Sequence, residues 1–237
     1  MAAPITRVVV LGDPHGDIAA LSAVFAKHDG PGAHYLSVGD NVGYRDAVRS
    51  SALCRRLMAR NIPSVYGNHE TWMRDGTLAI VMDLAAPRTL EADALEWCMR
   101  QPLRLDVRFE RAPEVSIRAV HALAGAGTPA AFDFVNEDNA LDIAIEEGAQ
   151  IIVIGHSHGP RIYEIADGTL VATHRLDLLS ASPADVRVQI RDGRRYVVDA
   201  GSLGRPGYYP DPGRFDLATV ALVDVERMEI SLQAVAK

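Results

Sequence analysis

Five times along this chain an apolar, β-branched run ends in a polar string that carries Asp, Asn or His. The runs are Arg7–Leu11, Tyr35–Val38, Ser64–Tyr66, Val115–Val120 and Ile151–Ile154. The strings that follow are GDPHGD at 12–17, GDN at 39–41, GNHE at 67–70, His121, and GHSH at 155–158. Short apolar runs bounded by Gly and Asp read as buried strands. Between them, Ile18, Leu21, Val24 and Phe25 share one helical face behind a cap candidate at Asp17. Leu141, Ala144 and Ile145 do the same behind Asp138, ending before Gly148. Strand alternating with helix predicts an α/β core. In such a core the carboxyl ends of the parallel strands line one crevice, so five loops remote in sequence are expected to meet.

The last third changes character. Strand-like pieces flank Asp167-Gly168 (Arg161–Ile165 and Leu170–Thr173) and Asp192-Gly193 (Val186–Ile190 and Tyr196–Val198), both hairpin signals. Leu217–Val223 and Met228–Val235 complete what reads as a second, largely antiparallel sheet packed on the first. The expected fold class is α/β, a four-layer αββα sandwich of two mixed sheets flanked by helices, in one domain over residues 1–237. The stretch Arg205–Arg214, rich in Pro and Gly, reads as a loop.

The seven donors Asp13, His15, Asp40, Asn68, His121, His156 and His158 mix oxygen and nitrogen and include no thiolate. Such a set suits Mn, Fe, Zn, Ni or Mg. It exceeds one tetrahedral shell, but fills two if a carboxylate bridges ions roughly 3.5–4 Å apart. Cys54 and Cys98 have no CxxC spacing and sit in helical stretches, so they read as reduced, buried, inert thiols. His28, His34 and His174 fall outside the polar strings and read as ordinary surface or core histidines. Asp17 reads as a cap rather than a ligand.

A formal charge of -7 provides no basic field, which disfavours a nucleic-acid partner and a nuclease. No apolar run approaches the roughly 20 residues of a membrane span, so the expected address is cytoplasmic with no membrane partner.

The order DxH, GD, GNH with an acidic residue, a lone His and GHxH resembles the calcineurin-like metallophosphoesterase superfamily, from Val8 to about Val223. Each motif alone is weak; all five in order are specific. GDNVGY at 39–44 and VDAGSLGRP at 198–206 are similar to strings of its small bacterial and archaeal phosphodiesterases.

The resemblance implies one metallophosphoesterase domain with two divalent transition-metal ions (Mn, Fe, Ni or Zn, with Mg admissible). Asp13, His15, Asp40 and His158 would hold the first, with Asp40 bridging, and Asn68, His121 and His156 would complete the second. His69 would be catalytic, giving a proton to the leaving group or stabilising its oxyanion. The implied activity is hydrolysis of a small phosphodiester, and also of phosphomonoesters, by a metal-bridging hydroxide, on a small, nucleotide-like phosphorylated substrate. Asn41 and Arg205 are substrate-binding candidates, and Tyr44, Trp72, Tyr208 and Tyr209 are aromatics of the rim or the core.

The sequence departs from the family pattern at three places. Gly43 stands where many relatives have an Asp that orients the catalytic His, so His69 either lacks that partner or borrows another such as Glu70. Ala-Leu follows His121 where Gly is common. Asp199 replaces the usual Asn, an extra carboxylate that could weaken phosphate binding or recruit a cation. Two other readings of the same pattern are a non-catalytic scaffold, like the retromer subunit of this fold, and a phosphoprotein or dinucleoside polyphosphate phosphatase. The complete donor set with His69 weighs against the first, and GDNVGY in place of GDxxDRG against the second.

Overall fold

A computed structural model describes residues 4–43, 47–75, 90–122, 134–180, 184–204 and 217–237, with side chains at 74 and 75 excluded. Two mixed sheets face one another. The first runs β2 (Ala33–Ser37), β1 (Arg7–Leu11), β10 (Leu217–Asp224), β11 (Glu229–Ala236) and β8 (Val186–Gln189). The second runs β3 (Arg104–Arg108), β4 (Ser116–Val120), β5 (Ile151–Ile154), β9 (Arg194–Asp199), β6 (Arg161–Ala166) and β7 (Thr169–Arg175). The pairs β1/β2, β4/β5 and β5/β9 are parallel, and the remaining pairs antiparallel.

The period of two along each strand decides which layer a side chain joins. Val8 and Val10 of β1 and Leu36 of β2 meet Ile117, Ile151, Val153 and Val198 between the sheets. Their alternates Val9 and Leu11 turn outward and are covered by Leu21 and Val24 of α1 (Ile18–His28) and Leu53 and Leu57 of α2 (Ala47–Ala59), and Cys54 of α2 packs with Ala94 and Cys98 of α4 (Ala92–Met99). On the far side Ile152 and Ile154 lie beneath Ile143 and Ala144 of α5 (Ala140–Glu147). Strands covered on both faces must be apolar at every position, which is why VVVL and IIVI show no alternation. The expected αββα sandwich of two mixed sheets is the observed one.

Its assembly differs from expectation in three ways. The C-terminal strands do not form a sheet of their own: β10 pairs with β1, and β9 with β5, so each sheet joins early and late segments. The turn at Asp167-Gly168 does close a hairpin, both residues having positive φ as the tight primed turn requires. Asp192-Gly193 does not, because β8 pairs with β11 in one sheet while β9 is wedged between β5 and β6 in the other. Around Ser64 only a single bridge to Ser37 forms, since the chain turns almost at once into the 67–70 string. The edge strand β3 has the sequence RLDVR, whose charges suit an exposed edge and leave little apolar signal.

Asp17 caps α1, accepting from Ala20 N at 3.0 Å, as expected. At α5 the helix begins one residue later than Asp138 suggests, after Asn139, and ends at Gly148 in the left-handed region. Among the described residues no helix is long and apolar enough to cross a membrane.

Candidate metal centre

The polar strings leave the ends of β1, β2, β4 and β5, and α3 (Asn68–Asp75) begins at the fourth donor. To converge, the chain turns sharply. Among the described residues eight non-glycines have positive φ, and five of them are donors: Asp13, His15, Asp40, His156 and His158. Left-handed backbone is costly for residues with a Cβ, though Asp and His tolerate it better than most, and its concentration at one place marks a functional site.

Asp13, His15 and His158 bring ligand atoms within 4.8 Å of one another, and so do Asp40, His121 and His156. Asp40 also groups with His15 and His69, linking the two sets. Asn68 Oδ1 lies 2.8 Å from His121 Nε2 and 2.9 Å from His156 Nδ1. All seven predicted donors are therefore brought together. Geometry also admits His69 as a ligand, because its Nε2 is 3.7 Å from Asp40 Oδ2.

The donor set fits a divalent metal on orientation as well as type. His121 Nδ1 donates to Val38 O at 2.7 Å, and His15 Nδ1 to Val42 O at 3.1 Å. Backbone carbonyls so placed hold the proton on Nδ1 and turn Nε2 toward the site. His15 Nε2 then meets His158 Nε2 at 3.0 Å, and His121 Nε2 meets the carbonyl oxygen of Asn68. Each of these close pairs is held together by a shared proton or, once an ion is bound, by a shared cation.

Burial, followed by repulsion from His69 and His158, holds His15 well below the ordinary histidine value, and burial takes His156 to about 4. His121 is buried too, yet Asp40 outweighs that and raises it to about 10. Asp40 is opposed by burial and held low by His121 and His69. In the metal-free chain a proton on His121 thus supplies positive charge that a metal would replace.

Behind the donors lies a layer of braces. Glu70 Oε2 accepts from Asp40 N at 3.1 Å and Gly67 N at 3.0 Å, and Oε1 accepts from Asn41 N at 2.8 Å and Asn41 Nδ2 at 3.3 Å. Burial and the neighbouring Asp40 push its carboxyl up to about 7, while four N–H donors favour the charged form. Glu70 is consequently spent on three backbone amides and the Asn41 side chain, and does not partner the ring of His69. His69 is set instead by its own N–H donating to Asp40 Oδ1 at 2.8 Å and by Trp72, whose ring centroid is 5.0 Å away.

Gly43, at φ 101°, passes so close that a Cβ there would lie 2.0 Å from His69 Nδ1. An Asp at 43 cannot fit this backbone. Gly67 is equally obligatory, a Cβ falling 2.3 Å from Asp40 Oδ1.

Asn41 is placed as a brace rather than toward a substrate. It is fully buried, accepts from Ser37 Oγ at 2.7 Å and donates to Ser64 Oγ at 3.0 Å. Asp199 is also buried, pushed up to about 7 by burial, and accepts from Gly201 N at 2.8 Å and from Ser157 Oγ between the two GHSH histidines. Ser202 Oγ donates to Asp13 O at 2.9 Å. These braces come from residues whose types are ordinary in loops, so nothing in the sequence singles out Ser157 or Ser202. Trp72 is half-buried behind His69. Arg205, Tyr44, Tyr208 and Tyr209 lie outside the described residues.

The model of the family described as Calcineurin-like phosphoesterase matches residues 6–160. Among solved structures, the chain is similar to a metallophosphoesterase from Sphaerobacter thermophilus, 21% identical, with 97% of this chain and 88% of that one covered at a TM-score of 0.66. It is also similar to a protein serine/threonine phosphatase from Saccharomyces cerevisiae, 15% identical, with 99% and 81% covered at a TM-score of 0.50. At such identities the likeness extends to the fold. No curated protein matches the chain.

Proposed function

Because the chain belongs to the calcineurin-like phosphoesterase family, we propose that it is a dinuclear phosphodiesterase of one domain, with phosphomonoesters as secondary substrates. Asp13, His15, Asp40 and His158 would hold one divalent ion, and Asn68, His121 and His156 the other, with Asp40 shared. The observation that carries this reading is the convergence of the seven donors in two groups linked through Asp40, with Asn68 Oδ1 beside His121 and His156. Bound cations supply Lewis acidity there, acidifying water and offsetting charge on the phosphoryl oxygens.

The chain's own residues do the rest. The braces from Glu70, Ser202 and Asp199 hold the donor loops before any ion arrives, which lowers the cost of ordering them. His69, in its protonated form, gives a ring proton to the leaving oxygen as charge develops there, which completes the alcohol and leaves neutral imidazole. Its ring is kept in place by Trp72, by Gly43 and by its own N–H on Asp40.

The test is hydrolysis of bis-p-nitrophenyl phosphate and p-nitrophenyl phosphate by metal-stripped protein reloaded with Mn, Ni, Zn or Mg, with metal content measured alongside. The diester should be preferred. Asp40→Ala should lose both metal and turnover, whereas His69→Ala should keep its metal and lose about 100-fold in turnover. If His69→Ala loses the metal, His69 is a ligand. No turnover with any metal would bring forward the non-catalytic scaffold.

A further inference from the structure

Arg161 opens β6 just beyond His158 and is half-buried. Across the second sheet, at the end from which GHSH leaves, Ile154, Asp199, Arg161 and Arg175 stand in register. Arg161 is therefore two strands from the root of the GHSH loop, about 10 Å at a strand spacing of roughly 4.8 Å. Its guanidinium turns back along the chain, because a Cβ on Gly159, the residue after His158, would lie 3.8 Å from Arg161 Cζ. Arg161 Nη1 reaches Tyr163 OH at 3.5 Å, and that hydroxyl donates to Val135 O at 3.3 Å. Beside Val135 the ring of Phe134 is stacked on that of His156, with centroids 4.8 Å apart. Arg161 thus borders the donor cluster on the side of His156 and His158.

A guanidinium keeps its charge and its five N–H donors, so when it is half-buried it must recover lost hydration from a partner. Arg118 and Arg194, half-buried likewise, do so on Asp106 at 2.7 Å and on Glu164 at 2.5 Å. Among the described residues no carboxylate pairs with Arg161 in this way. Asp199 and Glu137 act on it only through space, because each is engaged elsewhere: Asp199 accepts from Ser157 Oγ and Gly201 N, and Glu137 pairs with Arg175 at 2.7 Å. We infer that Arg161 holds a second oxyanion of the substrate, a carboxylate or phosphate several bonds from the reacting phosphorus, on its planar fork. The inference rests on the phosphoesterase reading above and adds a charge to the substrate's alcohol portion. An uncharged alcohol leaves the fork empty. One that carries its own oxyanion spans the distance from the donor cluster to Arg161 and is fixed at both ends.

The test is calorimetric titration of metal-loaded protein, at a fixed excess of the metal, with butylphosphonate, 4-phosphonobutyrate and butane-1,4-diphosphonate. All three carry one phosphonate, whose P–C bond resists hydrolysis, on the same carbon skeleton; the second ends in a carboxylate and the third in another phosphonate. At least one of these two should bind about tenfold more tightly than butylphosphonate, and which one does identifies the second group. Arg161→Gln should erase that advantage, and Arg161→Lys, which keeps the charge and loses the fork, should keep part of it. Ratios near one in the unaltered protein overturn the inference, as does an advantage that survives in Arg161→Gln. An Arg161→Gln variant that weakens all three ligands equally also overturns it, since that would make Arg161 a support for the GHSH loop. If butylphosphonate itself does not bind, the phosphoesterase reading falls and the inference with it, because that ligand needs only the metal centre.

Discussion

Replacing Glu70 by Gln tests whether the donor loops are held by a buried carboxylate. The two side chains have the same shape, so packing is preserved, and the difference lies in hydrogen bonding. Each oxygen of Glu70 accepts two N–H groups: Asp40 N and Gly67 N on one, Asn41 N and Asn41 Nδ2 on the other. Whichever oxygen becomes NH2, two buried donors face a third, so no rotamer escapes the conflict. Two unsatisfied buried N–H groups cost about 1–3 kcal/mol each, and relief from burying a charge returns part of it, leaving a loss of about 2–4 kcal/mol. Urea unfolding of the metal-free protein at pH 8, where the carboxylate is ionised, should show a lower midpoint with an unchanged slope. Metal affinity should fall as well, since Asp40 and Asn68 flank the released amides. A Glu70→Gln protein within about 0.5 kcal/mol of the parent would refute the bracing role.

Gly43→Ala places a methyl group where His69 Nδ1 lies; turnover should drop about 100-fold while metal content, measured by elemental analysis, stays near that of the parent. His28 is buried with Nε2 lacking a partner, and burial, Lys27 and Arg7 take it to about 4. Its folded value is below the unfolded one, near 6.5, so its stability contribution is complete above pH 6.5 and is lost as pH falls toward 4, by up to about 3 kcal/mol. Urea midpoints between pH 7.5 and 4.5 should fall less steeply in His28→Gln. Cys54 and Cys98 are both fully buried, their Sγ atoms 3.6 Å apart, and the Cys54 contact with burial keeps the Cys98 thiol protonated. A thiol reagent should therefore label neither in native protein and both in denaturant; rapid native labelling would contradict the inert reading.

The sites of chemistry are legible in the sequence because the chemistry is local in type: a ligand must be Asp, Asn or His wherever it stands, and a strand end is marked by the apolar run before it. The string GNHE therefore identifies its donor by residue type and position alone. Its fourth residue does not reveal its role that way, because Glu70 looks alike in sequence whether it orients a ring or braces amides, and only the positions of Asp40 N, Asn41 N and Gly67 N decide. Gly43 reads in one dimension as a missing partner; in three it is the space that His69 occupies.

Strand pairing divides in the same way. Asp167-Gly168 closes its hairpin through two residues of local backbone preference, whereas Asp192-Gly193 carries the same letters and crosses between sheets, because β9 is claimed by β5 and β6. The sequence by itself determined the strands' burial, the α/β alternation and the identity of the donors, all set by residue type and short-range periodicity. Only the tertiary structure decided which strands became neighbours, which carboxylates became braces and that Phe134 lies on His156, because those depend on contacts between segments far apart in the chain.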